Sequence, residues 1–191
     1  MAQISVAAPQ AVPSSAAQVA PADYRNVGLL FAALGALLWW LPRWLEPSAP
    51  NPSWILGPVF AMVLLVAIVA LLMVGTRNLA TLRGQAKPQY YLAYSGPAPE
   101  DWVERPARVF NNLMQLPVLF YLVCVLMLIT AQVDRVQLAY AWLFVALRTL
   151  HALLYLLWNP LPYRFGTWVM GLVTLLVLWT RFAIAAWPGL S

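Results

Sequence analysis

The sequence predicts an all-α integral membrane protein, a four-helix transmembrane bundle that follows an extra N-terminal hydrophobic helix. Of its 191 residues, 63% are hydrophobic and only 9% are charged, whereas a soluble domain has about 25% charged residues. Too little polar surface remains to cover a water-soluble globule. The apolar residues lie in five continuous runs without strand-like alternation, which favours helices over a membrane β-barrel.

The net charge of +5 is spread thinly over the segments between the apolar runs. This distribution suits membrane orientation better than nucleic-acid binding, so we expect no nucleic-acid partner. The single cysteine, Cys124, excludes an internal disulfide, and the single histidine, His151, disfavours a His-based site within one chain. We therefore expect no metal and no haem.

Two N-terminal segments precede the bundle. Residues 1–23 contain no basic residue and lack the order of a secretory signal, so they predict a disordered tail. Residues 24–45 contain a first apolar run, Val27 to Leu41, which is short for a membrane span. This run predicts an extra membrane helix or an interfacial anchor with tryptophans at headgroup level, and we favour a span.

The four remaining apolar runs predict a membrane domain over residues 54–187. They extend over Trp54–Gly75, Val109–Val133, Val136–Trp158 and Phe165–Trp187. Asp134 and Arg135 predict a tight turn between the second and third of these helices. Pro160 and Pro162 end the third.

The longest polar segment, residues 76–107, is expected to be cytoplasmic. This orientation obeys the positive-inside rule, because it places inside Arg25, Arg77, Arg83, Lys87, Arg105, Arg108 and Arg164. Only three cations then lie outside, namely Arg43, Arg135 and Arg181. The N-terminus is inside if the first run spans the membrane and outside if that run only anchors.

Two polar stripes within the apolar runs predict a functional site. In each stripe an arginine shares one helical face with two polar or aromatic residues. The stripes are Arg108, Asn112 and Gln115 at i, i+4 and i+7, and Arg148, His151 and Tyr155 at i, i+3 and i+7. Because the two helices are antiparallel, both stripes are expected in the same half of the membrane.

Arg148 is predicted to lie at membrane depth, and no acidic residue is placed to neutralise it. An unpaired guanidinium there costs on the order of 3 kcal/mol on insertion scales. Two interpretations remain open: a bound anionic ligand, or an internal network with Asn112, Gln115 and Tyr155. His151 alone is more typical of a hydrogen-bonded structural residue than of a catalyst.

Two sequence strings resemble the MAPEG family, the membrane-associated proteins in eicosanoid and glutathione metabolism. They are Arg108-Val-Phe-Asn-Asn112-Leu-Met-Gln115-Leu-Pro-Val-Leu-Phe-Tyr121 and Ala146-Leu-Arg148-Thr-Leu-His151-Ala-Leu-Leu-Tyr155. The resemblance covers about residues 54–186 and is similar to bacterial members, which implies a bacterial inner-membrane protein. It also implies a four-helix bundle that assembles as a homotrimer and binds glutathione between protomers.

The second helix of the family carries an R-x3-N-x2-E pattern that this chain matches in part. Arg108 and Asn112 occupy the first two positions, whereas Gln115 replaces the glutamate. The family uses that glutamate to hold the amino group of glutathione. An amide oxygen can still accept a hydrogen bond, but the negative charge is lost.

The remaining roles also follow from the resemblance. Arg148, His151 and Tyr155 match the binding positions of the third family helix, and Arg164 resembles a further ligand-binding arginine. Arg77 is the candidate catalytic residue, contributed by a neighbouring protomer to polarise the thiol. Glutathione is thus the expected cofactor, because it has two carboxylates and these arginines are expected to lack acidic partners.

The implied function is a glutathione-dependent transferase or peroxidase that acts on a hydrophobic electrophile or a lipid hydroperoxide. The alternative is a non-catalytic accessory subunit of a larger membrane complex, favoured by Gln115 and by the extra N-terminal segment. A transporter is disfavoured because no internal repeat is evident. Expected partners are membrane lipid and either two further copies of the chain or a larger complex.

Overall fold

The computed structural model describes residues 20–45, 49–87, 90–91 and 98–187, and these ranges contain helices and no strands. A short 3₁₀ turn, Pro52–Ile55, precedes the second helix. The helices are α1 (Pro21–Trp44), α2 (Leu56–Leu82), α3 (Asp101–Leu113), α4 (Leu116–Ile129), α5 (Arg135–Leu157) and α6 (Leu161–Ala186). The predicted all-α class is confirmed.

Five helical segments of the described residues are long and apolar enough to cross a membrane, so the chain is an integral membrane protein. One of these segments, Asp101–Ile129, comprises α3 and α4 together. α1 has 24 residues, which is the length of a span, and its mean hydropathy of 1.4 is the lowest of the five. It begins inside the segment that the sequence assigned to the tail, while residues 1–19 lie outside the described ranges.

The polar segment between α2 and α3 is shorter than the predicted 76–107. α2 continues to Leu82 and α3 already begins at Asp101, so Arg77 and Arg105 are helical residues. Acidic residues in the first turn favour this start of α3, because they complement the positive end of the helix dipole. Arg164 was likewise expected between two helices but lies in the first turn of α6.

The predicted helix over Val109–Val133 lies in one membrane-length segment, Asp101–Ile129, but that segment is interrupted at Met114 and Gln115. Pro117, in the first turn of α4, has no N–H for the carbonyl four residues earlier and restricts the residue before it. Gln115 has φ −92° and ψ −82°, outside the helical region. The break therefore places Gln115 at a corner between two helices rather than on the face of one.

The predicted turn at Asp134 and Arg135 is confirmed, and it is well stabilised. Asp134 and Gln137 cap the start of α5 reciprocally, and Arg181 of α6 donates to Asp134 at 2.9 Å. The main apolar core lies nearby, between α4, α5 and α6, and includes Phe120 stacked on Phe144. The turn thus fixes the end of the bundle opposite the polar stripes.

α1 packs mainly on α6. At Gly166 the two helices approach so closely that an added Cβ would lie 2.8 Å from Val27 Cγ1. The Tyr163 hydroxyl donates to Asp23 at 3.1 Å, and the Tyr140 hydroxyl donates to the Leu38 carbonyl at 2.8 Å. The close contact at Gly166 and the two hydroxyl hydrogen bonds together dock the extra helix on the bundle.

Candidate functional site

A cavity of about 480 Å³ lies between α3, α5 and α6, at the end of the bundle where α5 ends and α6 begins. Six residues singled out from the sequence line it: Arg108, Asn112, Gln115, His151, Tyr155 and Arg164. The two polar stripes therefore meet in space, at the same end of the bundle, as predicted. Arg148 and Arg77 are not among the lining residues.

Arg148 lies behind the cavity wall, fully buried at 0% exposure. Its Nη2 donates to the Asn112 side-chain oxygen at 2.7 Å and to the Asn112 carbonyl at 3.1 Å. Within the described part of the chain, no acidic side chain pairs with it, and its Nε and Nη1 have no hydrogen-bond partner. The guanidinium therefore fixes Asn112, the contact foreseen in the internal-network interpretation.

His151 is buried one turn after Arg148 on α5. Its Nδ1 lies 2.9 Å from the Arg164 carbonyl oxygen. Because a carbonyl can only accept, Nδ1 carries the proton, and Nε2 of the neutral ring is then an acceptor. Nε2 has no partner among the described residues, so the cavity wall contains an unsatisfied buried acceptor.

Arg164 is held over the cavity by two side chains from α5 and its end. Its Nη1 donates to the Asn159 side-chain oxygen, and its guanidinium lies 4.2 Å from the centre of the Tyr155 ring. Asn159 has a positive φ of 55°, a conformation that asparagine tolerates better than most residues, directly after α5 ends. The residue that ends α5 thus also orients a cation of the site.

Arg108, at the opposite wall, has an acidic partner, which contradicts the expectation from the sequence. Asp101 accepts from Arg108 and also from Arg105, whose Nε lies 2.7 Å from Asp101 Oδ2. Asp101 lies seven residues before Arg108, so the two are two helical turns apart on one face. The length of the arginine side chain lets it reach back over this distance.

Arg77 lies away from the cavity, in a cluster between α2 and α3. Its Nη2 lies 3.7 Å from Glu104 Oε2, and its guanidinium lies 4.8 Å from the centre of the Tyr91 ring. The sequence placed Arg77 without a neutralising acid, and this expectation is wrong because α3 begins early enough to present Glu104. Arg77 therefore has an acidic partner within the same chain.

Four further residues line the cavity and were not predicted: Asn111, Leu161, Phe165 and Trp168. Asn111 adjoins the predicted Asn112, so its neighbourhood was visible in the sequence. The apolar residues follow from the early start of α6, which brings its first two turns beside α3. α6 thus contributes an apolar surface together with Arg164, and the side facing it carries amides and Arg108.

The arrangement is suited to an amphipathic anion. Arg108 and Arg164 offer bidentate sites for carboxylates, the amides can pair with peptide groups, and the apolar wall can bury a hydrophobic part. In the described ranges, no group of three or more His, Cys, Asp or Glu residues is placed to hold a metal ion.

The sequence comparisons agree with this architecture. The model of the MAPEG family matches residues 58–184, which is well over half of the chain and covers α3 to α6 almost completely. No curated protein and no solved structure matches the chain. The chain belongs to the MAPEG family, and α1 is an addition outside the matched region.

Proposed function

We propose that the protein is a glutathione-dependent transferase or peroxidase that acts on a hydrophobic electrophile or a lipid hydroperoxide. The observation that carries the proposal is the shared cavity. In it, residues from α3, α5, α6 and the corner at Gln115 combine two guanidinium groups, three amides and an apolar wall. Glutathione has two carboxylates and a peptide backbone, and this donor set is complementary to both.

Most polar residues of the cavity receive a role, and Tyr155 positions Arg164 through its ring. Arg108 and Arg164 bind the two carboxylates, and Asn112 and Gln115 pair with the peptide and amino end. Arg148 does not touch the ligand but positions Asn112 through two hydrogen bonds. A polar ligand atom would also satisfy the unpartnered Nε2 of His151.

The thiol of bound glutathione supplies the nucleophile. A cation close to that thiol would favour its thiolate form, which is the reactive one. Because Glu104 already neutralises Arg77 within the protomer, we assign Arg77 a positioning role between α2 and α3. The catalytic role from a neighbouring protomer would require this pair to open.

The apolar wall suggests how the second substrate arrives. Phe165 and Leu161 are exposed on the outer surface of a membrane helix, where a lipophilic molecule can enter from the bilayer. We propose a homotrimer in a bacterial inner membrane, with the 83–100 connection on the cytoplasmic side. The cation distribution supports this orientation.

An accessory role is the second candidate, and two observations favour it. Gln115 lacks the charge of the family glutamate. α1 adds a whole helix, of which Leu34 is the only buried residue. A larger membrane complex could use the exposed face of that helix.

Turnover by the purified protein distinguishes the enzyme from the accessory subunit. We expect conjugation of glutathione to 1-chloro-2,4-dinitrobenzene, or reduction of a lipid hydroperoxide, to be lost in Arg108→Ala. It should be retained in Arg83→Ala, which removes an exposed arginine outside the cavity. Gln115→Glu should tighten glutathione binding in an enzyme. No turnover in any form, with Gln115→Glu only destabilising, would favour the accessory role.

A further inference from the structure

The carboxylate of Asp101 forms an ion pair with Arg108, one of the two cations of the proposed glutathione site. Asp101 Oδ1 accepts from Arg108, which lines the cavity, while Asp101 Oδ2 accepts from Arg105, which does not. The side chains of Asp101 and Arg108 are 50% and 43% exposed, so both are in reach of solvent and of an entering ligand.

Arg105 fixes Asp101 in this position. Its Nη1 donates to the Leu156 carbonyl at 3.1 Å while its Nε holds Asp101 at 2.7 Å. Leu156 lies in the last turn of α5, where helix carbonyls lack partners within the helix. Asp101 is also in the first turn of α3, where the helix dipole favours a negative charge. The carboxylate thus stays in place even without Arg108.

The second side-chain partner of Arg108 is Tyr155, a neutral residue that also lines the cavity, whereas Asp101 has a second charged partner in Arg105. Its guanidinium reaches back along α3 towards Asp101, and its hydrogen bond to Asp101 is an exposed ion pair. Such pairs are weak and exchange readily. A ligand carboxylate can therefore replace Asp101 as the ion-pair partner of Arg108, while Asp101 remains paired with Arg105.

We propose that Asp101 is an internal competitor that occupies Arg108 when the cavity is empty and yields it to a ligand carboxylate. Asp101 thereby sets the affinity and selectivity of the site. A ligand can pair with Arg108 only if its own carboxylate replaces that of Asp101. A neutral ligand end cannot make that exchange.

Because this inference rests on the proposed glutathione site, its test has a readout that needs no glutathione. Phenylglyoxal modifies accessible guanidinium groups, and chymotryptic peptides report the modification of Arg108 by mass spectrometry with Arg83 as internal reference. In Asp101→Asn we expect Arg108 to react about two- to fivefold faster, the range set by the strength of an exposed ion pair.

Glu100→Gln is the matched control. It removes one negative charge from the adjacent residue, whose carboxylate accepts from the Trp102 indole and does not contact Arg108. Equal labelling of Arg108 in both variants would overturn the proposal. Asp101→Ala provides a second variant without any side-chain oxygen and should label at least as fast as Asp101→Asn.

Calorimetry with glutathione completes the test. We expect Asp101→Asn to bind about two- to fivefold tighter than Glu100→Gln, and equal affinities would overturn the competitor role. Absence of glutathione binding in every form would instead refute the proposed function, and the labelling ratio would still decide whether Asp101 occupies Arg108.

Discussion

The contact between Arg148 and Asn112 joins the two polar stripes, and its strength can be measured. Arg148→Met removes the buried guanidinium while filling similar space, and Asn112→Ala removes the side-chain acceptor. The stability effect of Arg148→Met combines lost hydrogen bonds with the removal of a buried charge, so its sign alone is uninformative. A double-mutant cycle isolates the contact.

The size of the expected coupling energy follows from the geometry of the two hydrogen bonds. Asn112→Ala removes the 2.7 Å hydrogen bond to the side-chain oxygen and leaves the 3.1 Å bond to the backbone carbonyl. A hydrogen bond to a charged group contributes about 1.5–3 kcal/mol. We therefore expect the double variant to be about 2 kcal/mol more stable than the two single effects predict when added.

The free energy of unfolding is measured by SDS titration in mixed micelles with circular dichroism. Arg181→Met combined with Asn112→Ala is the control, because Arg181 pairs with Asp134 at the opposite end of the bundle. The effects of Arg181→Met and Asn112→Ala on the free energy of unfolding should add within about 0.5 kcal/mol. A similarly small coupling between Arg148 and Asn112 would refute the role of Arg148 as the group that holds Asn112.

Three further changes test particular contacts. Gly166→Ala should lower the unfolding temperature by forcing α1 away from α6, whereas Gly171→Ala, whose Cβ would be in ordinary contact at 3.5 Å, should not. Asn159→Gly should weaken glutathione binding about fivefold by releasing Arg164, and Asn159→Ala should in addition lower stability because of the positive φ. Arg77→Gln should cost about 1 kcal/mol of unfolding free energy and leave glutathione affinity unchanged by calorimetry.

The membrane helices were predictable because burial in lipid requires long, uncharged runs. Their ends were not, because a helix can continue past the bilayer when polar side chains stabilise its first turn. Asp101 and Glu104 do so for α3, although charged residues outside the apolar runs are typical of a loop. The break at Gln115 was missed because Pro117 interrupts an apolar run without changing its hydrophobicity.

The residues around the cavity were predictable where the spacing along one helix determines which side chains share a face. Helical periodicity placed Arg108, Asn112, His151 and Tyr155 on faces that meet in the folded chain. The partners of the cations were not predictable, since Arg77 and Glu104 are 27 residues apart and come together only by packing of α2 on α3. Long-range pairing leaves no periodic signal in one sequence.

Glutathione binding to the purified protein in detergent, measured by calorimetry, tests the proposed site most directly. We expect binding with a dissociation constant of about 1 mM or lower, lost in Arg108→Ala and retained in Arg83→Ala. Absence of binding by folded protein at several times that concentration, or equal binding by both variants, would contradict the assignment of the cavity as a glutathione site.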